Sequence, residues 1–345
     1  MLAKHHTMKH ILVVFTGGTI GSMAIDGTIN TAGSAPFKLL QQFKQRYSGH
    51  HQVDFTTIEP ITILSENLAP AFWKILIEAI EAAGPQQYDG IIITHGTDTL
   101  SYTAAAISFY FHALDVPILL VSSDYPLDNP KANGLGNFVC AVEFVVKENR
   151  PGVFVPYRNQ QQLTQLHKGT RLASCLQLSG DFISVQGKSH MQFDKGRFCL
   201  LNQIGSQPSD NIVLLKACFS ERILLIRPYP GLDYGRFNLM GVDAVLHDLY
   251  HSGTACVSDQ WGENHSLLKF IGDCGALGIN VYLAPAHQSD DAYQSTRVLV
   301  GRGAVMIWNM SIEAAYVKLA LAYGNFNDSE KIMAFINTDI AGEHV

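Results

Sequence analysis

Charge is sparse in this sequence: Asp, Glu, Lys and Arg make up 16% of the 345 residues, and their sum is −6. No run of Lys or Arg is present, so the surface carries no electrostatic footprint for a nucleic acid or an anionic membrane. Long hydrophobic runs are missing too, since none approaches the ~18 residues of a membrane span. Ile11 to Phe15 leads straight into Thr16-Gly17-Gly18 with no small-residue cleavage site, and reads as a first strand rather than a secretory signal. The cysteines (Cys140, Cys175, Cys199, Cys218, Cys256, Cys274) are irregularly spaced and include no Cys-x-x-Cys pair. Buried, reduced thiols in a cytoplasmic protein are the expectation, with no disulfide, metal or other cofactor.

Hydrophobic residues, at 47%, exclude a disordered chain. A chain of this length buries roughly three quarters of its unfolded surface, enough for two domains without disulfide or metal staples. Short apolar runs alternate with helical patterns. Strands are expected at His10–Phe15, Gly90–Thr94, Val116–Ser122, Gly152–Pro156, Ile223–Ile226, Val242–Tyr250 and Asn280–Leu283. Helices are expected at Pro36–Tyr47, Pro70–Ala83, Leu100–Leu114 and Ala132–Lys147, then near His265–Cys274, Ser311–Tyr323 and Asp328–Ile336. Such alternation predicts an α/β fold with mostly parallel sheet and flanking helices. Between Asn202 and Asn211 the composition shifts to Gly, Ser, Gln, Pro and Asp, as in a linker. The expected division is a larger N-terminal α/β domain over 1–201, a linker over 202–220 and a smaller C-terminal α/β domain over 221–345.

Two strand ends carry the chemistry, because open parallel sheets bind ligands outside the carboxyl ends of their strands. After the first comes Thr16-Gly17-Gly18-Thr19-Ile20, where the glycines permit a tight turn and close approach to a ligand. The spacings of a phosphate loop and of a dinucleotide fingerprint are both absent. After Gly90–Thr94 comes His95-Gly96-Thr97-Asp98-Thr99, with a hydroxyl beside a carboxylate at the start of a helix. That pairing suits proton relay and stabilisation of a developing anion. Thr and Asp are also favoured helix caps, so this segment alone fits a plain helix start better than a reactive site.

Together, Thr16 to Ile20 and Thr94 to Thr99 closely resemble the bacterial-type L-asparaginase family, and the resemblance runs over nearly the whole chain. It extends through Ser65 to Pro70, Ser122-Ser123 with Ala132 to Asn137, Arg227 to Gly231 and Ser289 to Tyr293. The short N-terminus is similar to the cytoplasmic type I enzymes. Leu64 to Asn67 with Tyr102-Thr103-Ala104 is similar to the asparaginase-like subunit of the archaeal tRNA-dependent amidotransferase.

The resemblance implies a two-domain amidohydrolase that takes asparagine to aspartate and ammonia through an acyl-enzyme. Amide hydrolysis on glutamine or another substrate, and a catalytically weakened amino-acid-binding protein, are the alternatives. Thr19 would be the nucleophile, with Thr97 and Asp98 as its catalytic partners. Ser65 and Glu66 would grip the substrate's α-substituents. Gly18, Gly96 and Ser123 would line the site, the Ser122-Ser123 loop facing the leaving amide. The family also implies a homodimer or tetramer, while charge, hydropathy and cysteine spacing imply the cytoplasm and no nucleic-acid or membrane partner.

Three positions depart from the family pattern. Ser174 stands where the family places a lysine that assists the second threonine, while Asp181 keeps its spacing. Thr28 stands in place of a flexible-loop tyrosine. Gln288 stands for the acidic residue lent across a dimer interface. A neutral serine cannot replace a cation, and a missing general-base component costs about 10²–10⁴ in rate.

Other signals read as scaffold. His247 and His251 fall on an expected strand, where residues four apart lie roughly 13 Å from each other, too far for one metal. Trp73 lies on the apolar face of its helix and is expected in the core, His95 reads as a scaffold residue, and His5, His6 and His10 are expected to be solvated.

Overall fold

The computed structural model describes residues 8–25, 28–31, 35–203, 212–289 and 291–345, with side chains outside 21–37. The chain divides into two compact units, one ending before the 204–211 stretch but joined by Ile212–Ala217, the other starting at Cys218. Within the expected linker, 204–211 lies outside the described residues.

The first unit comprises β1 (Lys9–Phe15), β2 (Ser22–Ile25), β3 (Thr28–Thr31), α1 (Ala35–Arg46), β4 (Val53–Ile58), α2 (Pro70–Ala82), β5 (Gly90–Thr94) and α3 (Leu100–Tyr110). It continues with β6 (Pro117–Val121), α4 (Gly134–Lys147), β7 (Gly152–Tyr157), β8 (Thr164–Lys168), β9 (Met191–Asp194) and β10 (Arg197–Leu200). Among the described residues the main sheet has eight strands in the order β10-β9-β8-β7-β6-β5-β1-β4. Pairings from β4 to β7 are parallel, while β7 to β10 are antiparallel. The strand-helix rhythm therefore ends at β7. β8 to β10 and the edge strand β4 carry no continuous apolar run, which is why sequence pattern does not mark them.

Ile11 to Val14 are all fully buried, because helices cover both sheet faces. Ile11, Val13 and Phe15 join Leu39 and Phe43 of α1 and Phe138, Ala141 and Val142 of α4 in one apolar cluster. Trp73 is buried in α2 and its Nε1 donates to Thr103 Oγ1 at 3.1 Å.

The second unit comprises β11 (Ile223–Ile226), β12 (Ala244–Asp248), α5 (Leu267–Ala276), β13 (Asn280–Ala286), α6 (Gln294–Gly301), β14 (Val305–Trp308), α7 (Ile312–Asn325) and α8 (Ser329–Asn337). Among the described residues its four strands are parallel, in the order β11-β12-β13-β14, over a core of their own. The α/β class and the two-unit organisation are as expected.

Two local expectations change. Only Cys140 and Cys274 are buried, whereas Cys199, Cys218 and Cys256 are exposed; thiols on loops and edge strands have no core to enter. His10 is not a solvated terminal residue but lies in β1, where its Nε2 is 2.8 Å from Thr56 Oγ1. His5 and His6 lie outside the described residues. Among the described residues no helix is long and apolar enough to cross a membrane, and no group of three or more His, Cys, Asp or Glu could hold a metal ion.

Candidate active site

β1 lies between β4 and β5, so the chain leaves β1 toward one side of the sheet and returns on the other. The ends of β1 and β5 flank this switch in direction, where open α/β sheets form their ligand crevice. Both threonine-bearing loops start there.

Backbone hydrogen bonds lock the loops together. Thr16 Oγ1 donates to the Thr94 carbonyl at 2.6 Å, and the Thr16 N–H donates to Thr94 Oγ1 at 3.3 Å. The Ile63 N–H donates to Thr16 O at 3.0 Å and the Gly18 N–H to Ile63 O at 3.3 Å, drawing the segment before Ser65 alongside β1. Gly18 has φ +77°, and a Cβ there would lie 2.3 Å from Gly96 N. A Cβ on Gly96 would in turn lie 2.4 Å from Ser65 Oγ. Only glycine permits this contact. Thr19 and Thr97 each follow one glycine of the touching pair, and both are half-buried.

Ser65 and Asp98 are joined directly. Ser65 Oγ donates to Asp98 Oδ2 at 2.9 Å, the Asp98 N–H approaches Ser65 Oγ at 3.2 Å, and Thr99 Oγ1 donates to the Ser65 carbonyl at 3.0 Å. Helix α3 begins with no side-chain cap at Thr99. The helix-cap reading of Thr97-Asp98-Thr99 is thereby corrected: tertiary contact with Ser65 competes successfully for these groups. Glu66 is exposed in the short turn Ser65–Asn67.

His95 is fully buried, which pushes its pKa down to about 4. Its Nδ1–H donates to the Gly96 carbonyl at 2.8 Å, since a carbonyl only accepts. A neutral imidazole thus braces the peptide that touches Gly18. Ser123 Oγ donates to Tyr125 O and accepts the Gly134 N–H at 3.2 Å, so its hydroxyl holds the loop together. Ser122 Oγ is buried without a hydrogen-bond partner among the described residues.

The departures can be placed individually. Leu172 bridges to Ser184 and closes the loop between them, in which Ser174 Oγ lies 3.4 Å from Ser101 Oγ on the first turn of α3. The neighbouring Cys175 thiol is pushed above its ordinary pKa by burial, then by the charges of Asp98 and Asp181. The 174–175 segment thus adjoins Asp98 with no cation of its own. Among the described residues Asp98 forms no ion pair. Burial lowers the pKa of His190, and the charges of Lys168, Arg150 and Arg171 lower it further. Thr28 opens β3, and its side chain lies outside the description. Gln288 is exposed in the second unit, its N–H donating to Asn309 Oδ1 at 3.1 Å. Ser101 was not among the expected site residues, and it lies in the first turn of α3, two residues beyond Thr99.

Two threonine-bearing loops at a sheet's directional switch, with the Asp98 carboxylate beside them, define the class as an α/β protein with a candidate ligand crevice at the carboxyl ends of β1 and β5. Comparison with known proteins narrows this. Residues 10–183 match the family model described as "Asparaginase, N-terminal", and the chain belongs to the asparaginase family. It is 27% identical over 340 residues to a subunit of the glutamyl-tRNA(Gln) amidotransferase of Saccharolobus solfataricus, covering 97% of this chain and 76% of that protein. It is 29% identical over 364 residues to the same subunit from Methanococcus maripaludis strain C5, covering 99% and 82%. Its fold is similar to that of the thermostable L-asparaginase from Thermococcus kodakarensis, with TM-score 0.80, 24% identity and coverage of 97% and 99%. L-asparaginase I from Vibrio cholerae gives 0.76, 24%, 98% and 99%.

Proposed function

We propose that this protein is an amidohydrolase acting on a glutamine-type side-chain amide, with a low intrinsic rate near neutral pH. The observation that carries this reading is the contact between Gly18 and Gly96, which sets Thr19 and Thr97 on adjoining loops beside Asp98. Thr19 Oγ1 attacks the amide carbon, Thr97 and Asp98 take up and return the proton, and ammonia leaves from the tetrahedral intermediate. Water then releases the acid from the acyl-enzyme. Substrate contacts at Ser65, Glu66, Gly96 and the Ser122-Ser123 backbone belong to the same proposal.

The glutamine preference draws its support from relatives named as amidotransferase subunits along almost the whole chain. One methylene separates the two amino acids and is worth about 1–3 kcal/mol in discrimination, so free asparagine is the natural competitor. A binding-only role is the second reading, favoured by the absence, among the described residues, of an ion-paired cation at Asp98.

Ammonia release measured with glutamine, glutaminyl peptides and asparagine tests these readings together. The proposal expects the highest kcat/KM on a glutamine-type amide and its loss in Thr19→Ala. A preference for asparagine would restore the L-asparaginase reading, and saturable binding without turnover would select the second. We further propose a cytoplasmic homodimer or tetramer; a monomer by light scattering at micromolar concentration would reject that assembly.

A further inference from the structure

The carboxyl edge of the first sheet holds a second feature, beyond the two threonine loops. The loops after β6 and β7 line an open cavity of about 630 Å³. Lys131 and Arg158 line it, together with Asp124 and the consecutive residues Gln160, Gln161 and Gln162. Neither cation forms an ion pair among the described residues. In a chain of net charge −6, a lining of two cations against the one carboxylate of Asp124 is a local reversal of sign.

The base of the cavity is rigid. The Arg158 N–H donates to Asn137 Oδ1 at 3.0 Å and its carbonyl accepts from Asn133 Nδ2 at 2.9 Å, so the main chain carrying the guanidinium is clamped on both sides. Asn159 binds Phe182 in the same reciprocal way, at 2.7 and 2.9 Å. Asp124 Oδ1 accepts the N–H groups of Tyr125 and Asn133, both at 2.9 Å, which ties its charge into the loop. What remains for a ligand is a guanidinium fork, an ammonium and a row of amide donors and acceptors.

We propose that this cavity binds a phosphomonoester. Three phosphoryl oxygens can be shared between the planar fork of Arg158 and the point charge of Lys131, where a carboxylate would engage the fork alone. The glutamine carboxamides, each both donor and acceptor, suit the hydroxyls of the group that carries the phosphate. That group is a sugar or a nucleoside, and the shared phosphoryl chemistry is what the site selects.

Calorimetric titration of the full chain with inorganic phosphate, a hexose phosphate and a nucleoside monophosphate, against chloride at matched ionic strength, tests this. Saturable phosphate binding is expected, tighter for whichever ester is the natural class. Arg158→Gln should weaken it about 10-fold or more and Lys131→Gln several-fold, while Lys74→Gln on α2 leaves it unchanged. Circular dichroism of each variant separates lost binding from lost fold, and Arg158→Lys should restore only part of the affinity. No saturable binding at millimolar phosphate, or binding indifferent to both Arg158→Gln and Lys131→Gln in folded protein, overturns the proposal. The readout is binding, so it stands apart from any outcome on amide hydrolysis.

Discussion

Ser65 and Asp98 hold each other twice, through Oγ to Oδ2 at 2.9 Å and from the Asp98 N–H to Oγ at 3.2 Å, across 33 residues of sequence. One hydroxyl thus orients both the carboxylate and the peptide that carries it. A hydrogen bond to a charged group is worth roughly 1.5–3 kcal/mol.

Ser65→Ala should therefore lower kcat/KM for amide hydrolysis by about 10-fold or more with little loss of fold. Thr97→Ala and Asp98→Asn should each lower kcat by about 10² or more, as expected for proton-transfer groups. Near-normal steady-state rates in all three variants would remove this pair of loops from the chemistry.

Gly18→Ala should fail structurally. Its φ of +77° costs a side chain about 1–3 kcal/mol by itself, and the added carbon meets backbone atoms of Gly96 that cannot move without parting the loops. The urea midpoint should fall, and ammonia release should fall further than stability explains. An alanine variant with unchanged midpoint would show that the loops do not touch as described.

Ser174→Lys should raise kcat near neutral pH. Ser174 lies beside Ser101 and next to Cys175, whose thiol feels the Asp98 charge, so an ammonium introduced there comes within range of Asp98 and Thr97. A nearby cation favours the deprotonated hydroxyl by opposite-charge attraction. The wild-type rate should climb toward alkaline pH, and the variant's profile should shift to lower pH. A pH-rate profile identical in both proteins would sink the missing-cation argument.

Acid should destabilise the fold well above the range of carboxylate titration. His95, His167 and His247 are each pushed by burial to about 4, from an ordinary value near 6.5. Between these values the unfolded chain binds protons that the folded one refuses, so stability rises with pH across that window. Their contribution is complete above about pH 6.5 and is lost as pH falls toward 4, on the order of 3 kcal/mol for each histidine. Urea midpoints should drop steadily from pH 7 to pH 4.5; a flat series would show that these rings gain a proton without cost.

Continuous apolar runs and glycine-bounded turns were sufficient to determine the α/β class, four of the eight strands described in the main sheet, three of the four in the second and the two threonine loops, because a doubly covered parallel strand must be apolar on both faces. Gly18 and Gly96 were legible as turn residues. Their mutual contact was not, since it depends on β1 and β5 being neighbours in the sheet while β4 pairs on the far side of β1. Ser174 was legible as a departure, but its position against Ser101 needed the loop that Leu172 and Ser184 close. The Asp98 carboxylate looked like a helix cap because capping is a local rule. Its partner proved to be Ser65, delivered by a backbone zipper at Ile63 that no residue pattern encodes. Local spacing determines which residues leave the strands together; only the order of strands across the sheet decides which of them meet.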